Sequence, residues 1–369
     1  MSKVRYIMLG GFLGAGKTTT LIRLAEKLRD ENNHTVGLIT NDQAANLVDT
    51  NLVKAGNFAV EEIAGGCFCC RFNSLKDAAD KLTETDRPDV FLAEPVGSCT
   101  DLVATVSYPL RRMYGASFTI SPLSVLLDPH RAVCIFGIEE GRNFSEKVKY
   151  VYLKQVEEAE ALVINKIDSV PAEDIEKLSS YIKETYPEKK HFLMSSRTGE
   201  GFNKWADYVM FSELGSQQSM EIDYDTYADG EALLGWLNAT LDVSSTESID
   251  GNRFLKSLAA VFSKAFTFVE KEIAHLKMTL SPEDGSGEIA SINQVGSELV
   301  PELGFSLLDP LKTGQLVINI RAEADPEEIN LILENALKEE FTAILKLEHV
   351  EFFRPGRPTP THRYAGVTG

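Results

Sequence analysis

The segment GFLGAGKT, residues 11–18, constrains the fold of this chain more than any other feature of its sequence. It fits the eight-residue pattern G-x-x-x-x-G-K-[ST] at every fixed position, and it lies between an apolar strand pattern and a helical pattern. Glycines let a loop backbone approach phosphate closely, so that successive N–H groups and the helix N-terminus face the anion. The segment therefore predicts a phosphate-binding loop between the first strand and the first helix of an α/β domain.

The individual residues of this loop have distinct expected roles in binding a nucleoside triphosphate. Lys17 is expected to reach the β- and γ-phosphates and to act in catalysis, and Thr18 is expected to ligate Mg²⁺. The residues expected to surround the phosphates are Gly11, Gly14, Ala15, Gly16, Lys17, Thr18 and Thr19. The alternative is a glycine-rich turn that binds nothing, and the complete motif in its strand–helix context argues against it.

The order of apolar and helical patterns predicts the fold class. Over roughly the first 210 residues short apolar runs alternate with helical patterns, which indicates βαβ units. Together with the loop, this predicts an α/β fold of the P-loop NTPase class, with a mainly parallel sheet flanked by helices. We predict this domain over residues 1–214, a linker over 215–227, and a smaller α+β domain of ferredoxin-like type over 228–369, ending in an extended tail with proline and arginine.

The composition restricts the classes of partner and the cellular compartment that we expect for this protein. The formal net charge is −18, whereas a general nucleic-acid binder needs a basic surface. No apolar run approaches the roughly 20 residues that span a bilayer, and no secretory signal is recognised. We therefore expect a cytoplasmic protein that binds neither nucleic acid nor membrane, and whose five cysteines form no structural disulfides.

The segment NKID, residues 165–168, follows an apolar strand pattern and matches the N-K-x-D signature of GTPases. The Asp168 carboxylate can accept hydrogen bonds from N1–H and the 2-amino group of guanine, and adenine lacks these donors. Asn165 is expected to tie the base to the phosphate loop, and Lys166 to pack along the ring. A second GTPase-like loop is expected to contact the guanine oxygen, with Ser195, Ser196 and Arg197. The order of these motifs predicts GTP as the nucleotide, and a lysine-rich βα turn is the alternative.

Two further strand ends carry candidate residues for hydrolysis and metal binding. Glu94 is expected to orient water or to bind Mg²⁺ through water, and Gly97 to follow the γ-phosphate by its backbone N–H. Asp42 and Asp49 follow another strand pattern, and one of them is expected to reach Mg²⁺ or a second metal at the same sheet edge. The alternatives are that Glu94 only caps the following segment and that the aspartates are turn residues. Cys99 follows the Glu94 loop and is expected near the nucleotide.

The segment GCFCC places Cys67, Cys69 and Cys70 within four positions of a chain that has five cysteines. Thiolates bind soft or borderline ions such as Zn²⁺, Co²⁺ or Ni²⁺, and C-x-C spacing lets two sulfurs face one ion. Three thiolates leave a tetrahedral ion one ligand short, which suits a site that releases its metal; Asp42 or a water is a candidate to complete it. A redox-active pair and small core residues are the alternatives.

Four of these elements, GGFLGAGKTT, EEIAGGCFCC, EPVG and NKID, occur in the order and context of the CobW-type GTPases. Over roughly residues 3–210 the chain resembles this family, which belongs to a metallochaperone group with UreG, HypB and MeaB. The resemblance implies a P-loop GTPase whose slow GTP hydrolysis is coupled to delivery of a metal or metal cofactor. It also implies that Cys67, Cys69 and Cys70 bind zinc, cobalt or nickel.

The sequence departs from the pattern of the CobW-type GTPases at several positions. The acidic switch element that reads like NEFG and then D in relatives is here NDQA, residues 41–44, with Asp49 further on. The usual E-T-T/S-G is here EPVG, residues 94–97. The usual CobW C-terminal domain with its histidine-rich insert is not recognised. The ending FRPGRPTPTHRY looks similar to a CobW-like subgroup associated with corrinoid-dependent methyltransferase systems.

These observations favour a GTP-hydrolysing metallochaperone that passes its metal to a client metalloprotein or a corrinoid enzyme. The family resemblance also implies a nucleotide-dependent homodimer. The first alternative is a GTP-switched protein chaperone for a corrinoid-dependent enzyme, in which the cysteines are structural or redox-active. The second alternative is a nucleotide-binding scaffold with negligible turnover.

Overall fold

The computed structural model of the chain divides into two compact units, each with its own sheet. The structure describes residues 3–42, 58–64, 66–85, 87–141, 143–215 and 219–364. The first unit holds the described residues up to Ala228 together with those from Arg357 onward. The second unit holds Asp229–Gly356.

Eight strands in the described part of the first unit form one parallel sheet. They are β1 (Val4–Gly11), β2 (Val36–Asp42), β3 (Ala59–Ala64), β4 (Val90–Glu94), β5 (Phe118–Ile120), β6 (Ser124–Leu127), β7 (Ala161–Ile164) and β8 (Lys190–Leu193). Neighbours follow the order β3-β2-β4-β1-β6-β7-β8, β5 pairs with β1, and all these pairs are parallel. The predicted P-loop NTPase fold is confirmed.

Helices connect these strands, because parallel neighbours require crossover connections. They are α1 (Lys17–Asp30), α2 (Phe72–Thr85), α3 (Tyr108–Tyr114), α4 (Pro129–Ile135), α5 (Glu146–Glu158), α6 (Ala172–Thr185) and α7 (Phe202–Phe211). A π-helical turn, Val103–Ser107, leads into α3. The apolar face of α1 places Leu21 and Leu24 in one core with Ile7 and Leu92 of the central strands. Burying each such side chain contributes about 1.5–3 kcal/mol, which fixes α1 and the loop before it on the sheet.

The sheet order brings the predicted functional segments to one edge. In a parallel sheet the carboxyl ends of all strands lie on the same side. The phosphate loop follows β1, Glu94 ends β4, and Asn165 follows β7. The cysteine segment follows β3, which is joined to β4 through β2. Nucleotide and metal candidates from distant parts of the sequence therefore belong to a single edge of the sheet.

The second unit, together with the helix before it, has a different order of elements. These are α8 (Tyr224–Ala232), β9 (Gly235–Ile249), α9 (Gly251–Phe268), β10 (Ile273–Pro282), β11 (Ala290–Gln294), β12 (Glu302–Leu303), β13 (Leu311–Ala322), α10 (Pro326–Ala336) and β14 (Ile344–Phe353). The strands form an antiparallel sheet in the order β12-β11-β10-β13-β9-β14. The strands β9, β10, β13 and β14 have the ferredoxin-like arrangement, which β11 and β12 extend. The predicted α+β class is confirmed.

The core of this unit lies between its helices and its sheet. Phe254, Leu258, Phe262 and Phe266 recur at four-residue intervals along α9 and are all buried. This spacing lines one face of a helix, and the face packs in one cluster with sheet residues such as Leu280. The aromatic face of α9 therefore holds the helix against the sheet.

The predicted domain limits, 1–214, 215–227 and 228–369, stay a prediction. In the structure α8 begins at Tyr224, inside the segment predicted as a linker. The tail from Arg357 groups with the first unit, although it follows the second unit in the sequence.

Candidate nucleotide and metal sites

The backbone of the phosphate loop adopts left-handed conformations that favour glycine. The φ angle is +138° at Gly11, +82° at Gly14 and +93° at Gly16. A Cβ atom at Gly11 would lie 2.7 Å from the carbonyl oxygen of Leu126, and one at Gly16 would lie 2.5 Å from the side-chain nitrogen of Asn165. Both positions are therefore limited to glycine by close neighbours as well as by φ.

Lys17 and Thr18 begin α1 and face the carboxylate that ends β4. Lys17 Nζ donates a 3.0 Å hydrogen bond to Gly11 O and lies 4.0 Å from Glu94 Oε1. Thr18 Oγ1 donates a 3.0 Å hydrogen bond to the same Glu94 oxygen, and all three side chains are buried. Hydroxyl and carboxylate oxygens are the hard donors that Mg²⁺ prefers, so these residues fit that ion. Thr19, in the same turn, is exposed.

Gly97 lies directly against the phosphate loop. A Cβ atom at this position would lie 2.8 Å from Leu13 Cδ2 and 3.1 Å from Leu13 Cα. Gln155 Nε2 donates hydrogen bonds to Gly97 O at 2.9 Å and to Cys99 O at 2.8 Å. The segment after β4 is therefore held between the phosphate loop and α5, and a side chain at Gly97 would push it away from Leu13.

The NKID segment is tied to the phosphate loop through its first residue. Asn165 Nδ2 donates a 2.9 Å hydrogen bond to Ala15 O. Asn165 Oδ1 accepts hydrogen bonds from Ser196 N and Ser196 Oγ, both at 3.0 Å. Ser196 Oγ also lies 2.6 Å from the hydroxyl of Thr20, in the first turns of α1. One buried amide thus joins the phosphate loop to both predicted guanine loops.

The remaining side chains of NKID differ in their surroundings. Lys166 has a left-handed φ of +55°, and its Nζ lies 2.8 Å from Asp128 Oδ2. Burial by itself would raise the pKa of the Asp128 carboxyl, but the charges of Lys166, Arg131 and His130 hold that pKa below its ordinary value. Asp168 is exposed in a 3₁₀ turn. Its carboxylate is therefore accessible to a ligand, while Lys166 is anchored to the protein.

The loop after β8 is shaped by its own hydrogen bonds. Ser195 N donates to Glu200 O at 2.9 Å, and Ser195 Oγ accepts from Thr198 N at 3.0 Å. Arg23 Nη1 donates to the carbonyl oxygens of Ser196 and Arg197, both at 3.1 Å. The turn is therefore fixed by α1 as well as by β8, with the side chain of Arg197 exposed.

The end of β2 contacts the start of the cysteine segment. Asn41 Nδ2 donates hydrogen bonds to Ile63 O at 2.9 Å and to Gly66 O at 2.7 Å. Asn41 is buried, and its Oδ1 has no hydrogen-bond partner among the described residues. The backbone of Asp42 ends β2, while the side chain of Asp42 and all of Asp49 lie outside the described residues.

The three thiols of the cysteine segment form one cluster. Cys67 Sγ lies 2.7 Å from Cys69 Sγ and 3.1 Å from Cys70 Sγ, and the other pair is 3.7 Å apart. The backbone N–H groups of Cys70 and Arg71 both donate to Cys67 O, so the segment turns helically just before α2. This turn brings together three side chains that a regular strand would direct to opposite faces.

The spacing of these sulfurs is close to that of a metal site. A zinc–sulfur bond of about 2.3 Å places the sulfurs of a tetrahedral site about 3.8 Å apart. The pair Cys69 and Cys70 already has this separation, and the pair Cys67 and Cys69 must open by about 1 Å. Among the described residues, this is the one group of three or more potential ligand side chains gathered closely enough to hold an ion.

Comparison with known proteins identifies the family. A family model described as CobW/HypB/UreG, nucleotide-binding domain, matches residues 5–193, slightly more than half of the chain. The chain belongs to the CobW/HypB/UreG family. The match contains the phosphate loop, the cysteine segment and NKID.

Curated members of the CobW/HypB/UreG family are similar over part of their length. Zinc chaperone YjiA of Escherichia coli K12 is 32% identical over 104 residues, 28% of this chain and 32% of YjiA. Zinc chaperone CobW of Sinorhizobium is 25% identical over 217 residues, 54% of this chain and 60% of CobW. The chain thus spans less than two thirds of either relative. The crystal structure of HypB from Helicobacter pylori in complex with nickel is 19% identical, with a TM-score of 0.42, over 56% of this chain and 86% of that one.

In this member of the CobW/HypB/UreG family, a fourth thiol lies beside the cluster. Hydrogen bonds with Cys69, Cys70 and Cys99 lower the pKa of the Cys67 thiol below its ordinary value. The hydrogen bonds with Cys67 in turn raise the pKa of Cys69 and of Cys70. Cys99 is buried, 1% exposed, and follows the segment that packs on the phosphate loop. Cysteine spacing along the sequence does not reveal this neighbour, because Cys99 stands alone in GSCTD.

Proposed function

We propose that this chain is a GTP-hydrolysing metallochaperone, which couples GTP hydrolysis to delivery of a transition-metal ion held by Cys67, Cys69 and Cys70. The observation that carries the proposal is a cluster of three thiols at the same sheet edge as a phosphate loop with an N-K-x-D base loop. Zn²⁺, Co²⁺ and Ni²⁺ all suit thiolates. The relatives named zinc chaperones favour Zn²⁺ as the ion carried.

The nucleotide half of the proposal rests on the loops that follow β1, β7 and β8. Asp168 is exposed and able to accept two hydrogen bonds from guanine, while the hydrogen bond from Asn165 to Ala15 O holds the NKID loop against the phosphate loop. Lys17 is positioned to move from Gly11 O to the phosphates. Thr18, with Glu94, would hold Mg²⁺, which when bound supplies positive charge for phosphoryl transfer. Glu94 is then the candidate for orienting water.

The coupling half rests on contacts between the nucleotide loops and the thiols. Asn41, at the end of β2, holds Gly66 O one residue before Cys67. Gly97 packs on Leu13 of the phosphate loop two residues before Cys99. A shift of either segment with the state of the γ-phosphate would change the positions of the sulfurs, and Asp42 remains a candidate ligand on the first of these segments. Metal affinity would then depend on the nucleotide.

Thermodynamic reciprocity provides the test. If a GTP analogue changes the affinity for metal by some factor, metal must change the affinity for the analogue by the same factor. Anaerobic titration of the full chain with Co²⁺, with and without a non-hydrolysable GTP analogue, measures one side of this cycle through thiolate-to-cobalt absorption. Analogue titration with and without Zn²⁺ measures the other side. A typical coupling of 5- to 150-fold is expected. The mechanism is contradicted if the analogue leaves the affinity for metal unchanged and metal leaves the affinity for the analogue unchanged.

The burial of two of the thiols supports a second candidate function. Cys67 and Cys69 are 6% and 1% exposed, as expected also of structural or redox-active cysteines. The chain would then be a GTP-switched protein chaperone for a corrinoid-dependent enzyme. The variant with Ser at 67, 69 and 70 separates the two: under the first function it should lose Co²⁺ binding and metal delivery, and under the second it should keep GTP-dependent client binding.

The receiving partner is part of the proposal. We propose a client metalloprotein or corrinoid enzyme in the cytoplasm, with a nucleotide-dependent homodimer as the working state. The charge of −18 supports a partner other than nucleic acid. None of the helices in the described residues combines the length and the apolar composition of a membrane-spanning segment. A pull-down from the host extract in the presence of the GTP analogue, compared with GDP, would identify the client.

A further inference from the structure

Residues 357–364, which we call the strap, follow the second unit in the chain but group with the first. They form neither helix nor strand. Thr361 attaches the strap to the cysteine segment by two hydrogen bonds: its N–H donates to Cys69 O at 2.9 Å, and its Oγ1 donates to Cys70 O at 3.1 Å. The strap therefore holds the backbone of the loop that carries the thiols.

A third hydrogen bond of the strap reaches a sulfur directly. The backbone N–H of Thr359 donates to Cys70 Sγ at 3.2 Å. Cys70 is half-buried, whereas Cys67 and Cys69 are almost inaccessible. A chelator or a receiving protein thus reaches an ion in the cluster most directly on the Cys70 side. The strap lies on that side.

The sequence of the strap explains why it holds this path. Proline has no backbone N–H and fixes φ near −65°, so Pro358 and Pro360 favour an extended segment with little conformational freedom. Each of these prolines is followed by a threonine, so Thr359 and Thr361 supply backbone N–H groups next to positions that have none. These two donors are the ones bonded to Cys70 Sγ and Cys69 O. The segment is therefore pre-organised to present its amides to the cysteine loop.

The far end of the strap is bonded to the segment that follows β4. Arg363 Nε donates to Asp101 Oδ2 at 2.7 Å, and Tyr364 N donates to Ala104 O at 2.9 Å. Asp101 is 1% exposed and has a left-handed φ of +63°. This carboxylate lies two residues after Cys99, on the same segment as Gly97. The strap thus joins the thiol loop to the segment that packs on the phosphate loop.

Aromatic contacts hold the middle of the strap. The ring of His362 packs edge-on against Phe72 at the start of α2, with centroids 5.0 Å apart, and stacks with the ring of Tyr364 at 6.3 Å. The guanidinium of Arg112 lies over the ring of Tyr364, 4.8 Å from its centroid. Hydrogen bonds and ring contacts therefore act on consecutive residues, which makes the strap a built contact and not a chance crossing of two loops.

We propose that the strap controls how fast the cysteine-bound metal is exchanged, and that it transmits movement of the segment after β4 to the thiols. The proposal rests on the function proposed above and adds a regulatory element to the same site. While the strap is in place, the Thr359 amide satisfies Cys70 Sγ and the strap restricts approach from that side. Movement of Asp101 would loosen Arg363 and Thr361, and Cys70 would become accessible to a receiving ligand.

The first experiment measures transfer of Zn²⁺ from the loaded protein to the chelator pyridylazoresorcinol, without oxygen. Truncation after Gly356 is compared with truncation after Tyr364, which keeps the whole strap. Loss of several hydrogen bonds is expected to increase the transfer rate about tenfold in the shorter chain alone. An equal transfer rate in both truncated chains would overturn the proposal, provided that both bind the GTP analogue as the intact chain does.

Two matched pairs of point variants address the same question without removing the chain end. Thr359→Pro and Thr359→Ala both remove the hydroxyl, but only Thr359→Pro removes the amide donor to Cys70 Sγ. Arg363→Gln and Arg357→Gln both remove a charge, but Arg357 pairs with Asp225 and not with Asp101. We expect faster Zn²⁺ transfer from Thr359→Pro than from Thr359→Ala, and from Arg363→Gln than from Arg357→Gln. Equal transfer rates within a pair would overturn the role assigned to that contact.

A metal-free measurement separates the strap from the proposed function. Maleimide modification of Cys70, followed by peptide mapping, is compared with modification of Cys134 as an internal reference. Removal of the strap is expected to accelerate modification of Cys70 several-fold, relative to Cys134. A wild-type protein that binds neither Zn²⁺ nor Co²⁺ would overturn the proposed function and the role of the strap in exchange. If the protein binds metal, but removal of the strap changes neither the reactivity of Cys70 nor the rate of Zn²⁺ transfer, only the proposed role of the strap is overturned.

Discussion

The side-chain amide of Asn165 donates a hydrogen bond to the carbonyl oxygen of Ala15 at 2.9 Å, across 150 residues of sequence. The same side chain accepts two hydrogen bonds from Ser196, and it is 1% exposed. One residue therefore sets the distance between the loop expected to hold the phosphates and the two loops expected to hold the base.

Asn165→Ala should weaken binding of GDP and GTP about 10- to 100-fold. The substitution leaves the Ser196 N–H and the Ala15 carbonyl without their buried partner, and each such loss costs about 1–3 kcal/mol. Titration with a fluorescent GDP analogue measures the effect. Asn203→Ala, at an exposed position of α7, is the control, and equal affinities for the two variants would show that Asn165 does not position the loops.

Asp168→Asn should change the preferred base from guanine to xanthine. An amide at this position no longer accepts from both N1–H and the 2-amino group, but it can donate to the C2 carbonyl of xanthine. We expect at least about a tenfold loss of GTP affinity and a gain for XTP, since a mismatched buried pair costs more than about 1 kcal/mol. Competition between the two nucleotides measures the ratio. A ratio unchanged from wild type would mean that Asp168 does not contact the base.

Lys17→Ala should reduce phosphate release from GTP about 100-fold or more, because a buried ammonium is lost where charge develops in phosphoryl transfer. Lys27→Ala, near the end of the same helix, controls for the loss of a lysine. Phosphate release under single-turnover conditions is the measurement. Comparable rates for Lys17→Ala and wild type would point to a nucleotide-binding scaffold instead of a GTPase.

The sequence predicted that the nucleotide loops meet at one edge of the sheet, because each motif is local and follows a strand. Once the strands are parallel, their carboxyl ends meet at one edge, and Lys17, Glu94 and Asn165 come together without further information. The contact between Thr359 and Cys70 spans 289 residues and involves a backbone amide, which leaves no pattern in the residue types. Cys99 beside Cys67 depends likewise on how the loop after β4 packs. Such contacts follow from tertiary packing, so the sequence alone did not indicate them.

Cys99→Ser should weaken metal binding if Cys99 supplies a fourth thiolate. Its thiol already hydrogen-bonds to Cys67, and four thiolates complete a tetrahedral ion. Titration with Co²⁺ should show a thiolate-to-cobalt band reduced by about a quarter, as expected for three sulfurs in place of four. Cys134→Ser is the matched control. Identical spectra for both variants would leave Cys67, Cys69 and Cys70 as the thiolate ligands.

Glu158 should make the first unit less stable as pH rises. Burial, and then the charge of Asp101, raises the pKa of this carboxyl from 4.5 to about 8. Between these values the unfolded chain has released the proton and the folded chain has kept it. The unfolded state binds fewer protons, so the free energy of unfolding falls by up to about 1.4 kcal/mol per pH unit in this window. Below about pH 4.5 the contribution is constant, because both states are protonated.

Glu158→Gln isolates this effect, because the amide oxygen can still accept from Val103 N while the amide nitrogen donates to Thr100 Oγ1. Urea unfolding of wild type and variant at pH 5, 6, 7 and 8 gives the difference in unfolding free energy at each pH. We expect the unfolding free energy of the variant, relative to that of wild type, to rise steadily from pH 5 to 8. The rise reaches about 1–3 kcal/mol near pH 7. Glu157→Gln, on the exposed side of α5, is the control. A difference that stays constant with pH would show that Glu158 is ionised in the folded protein.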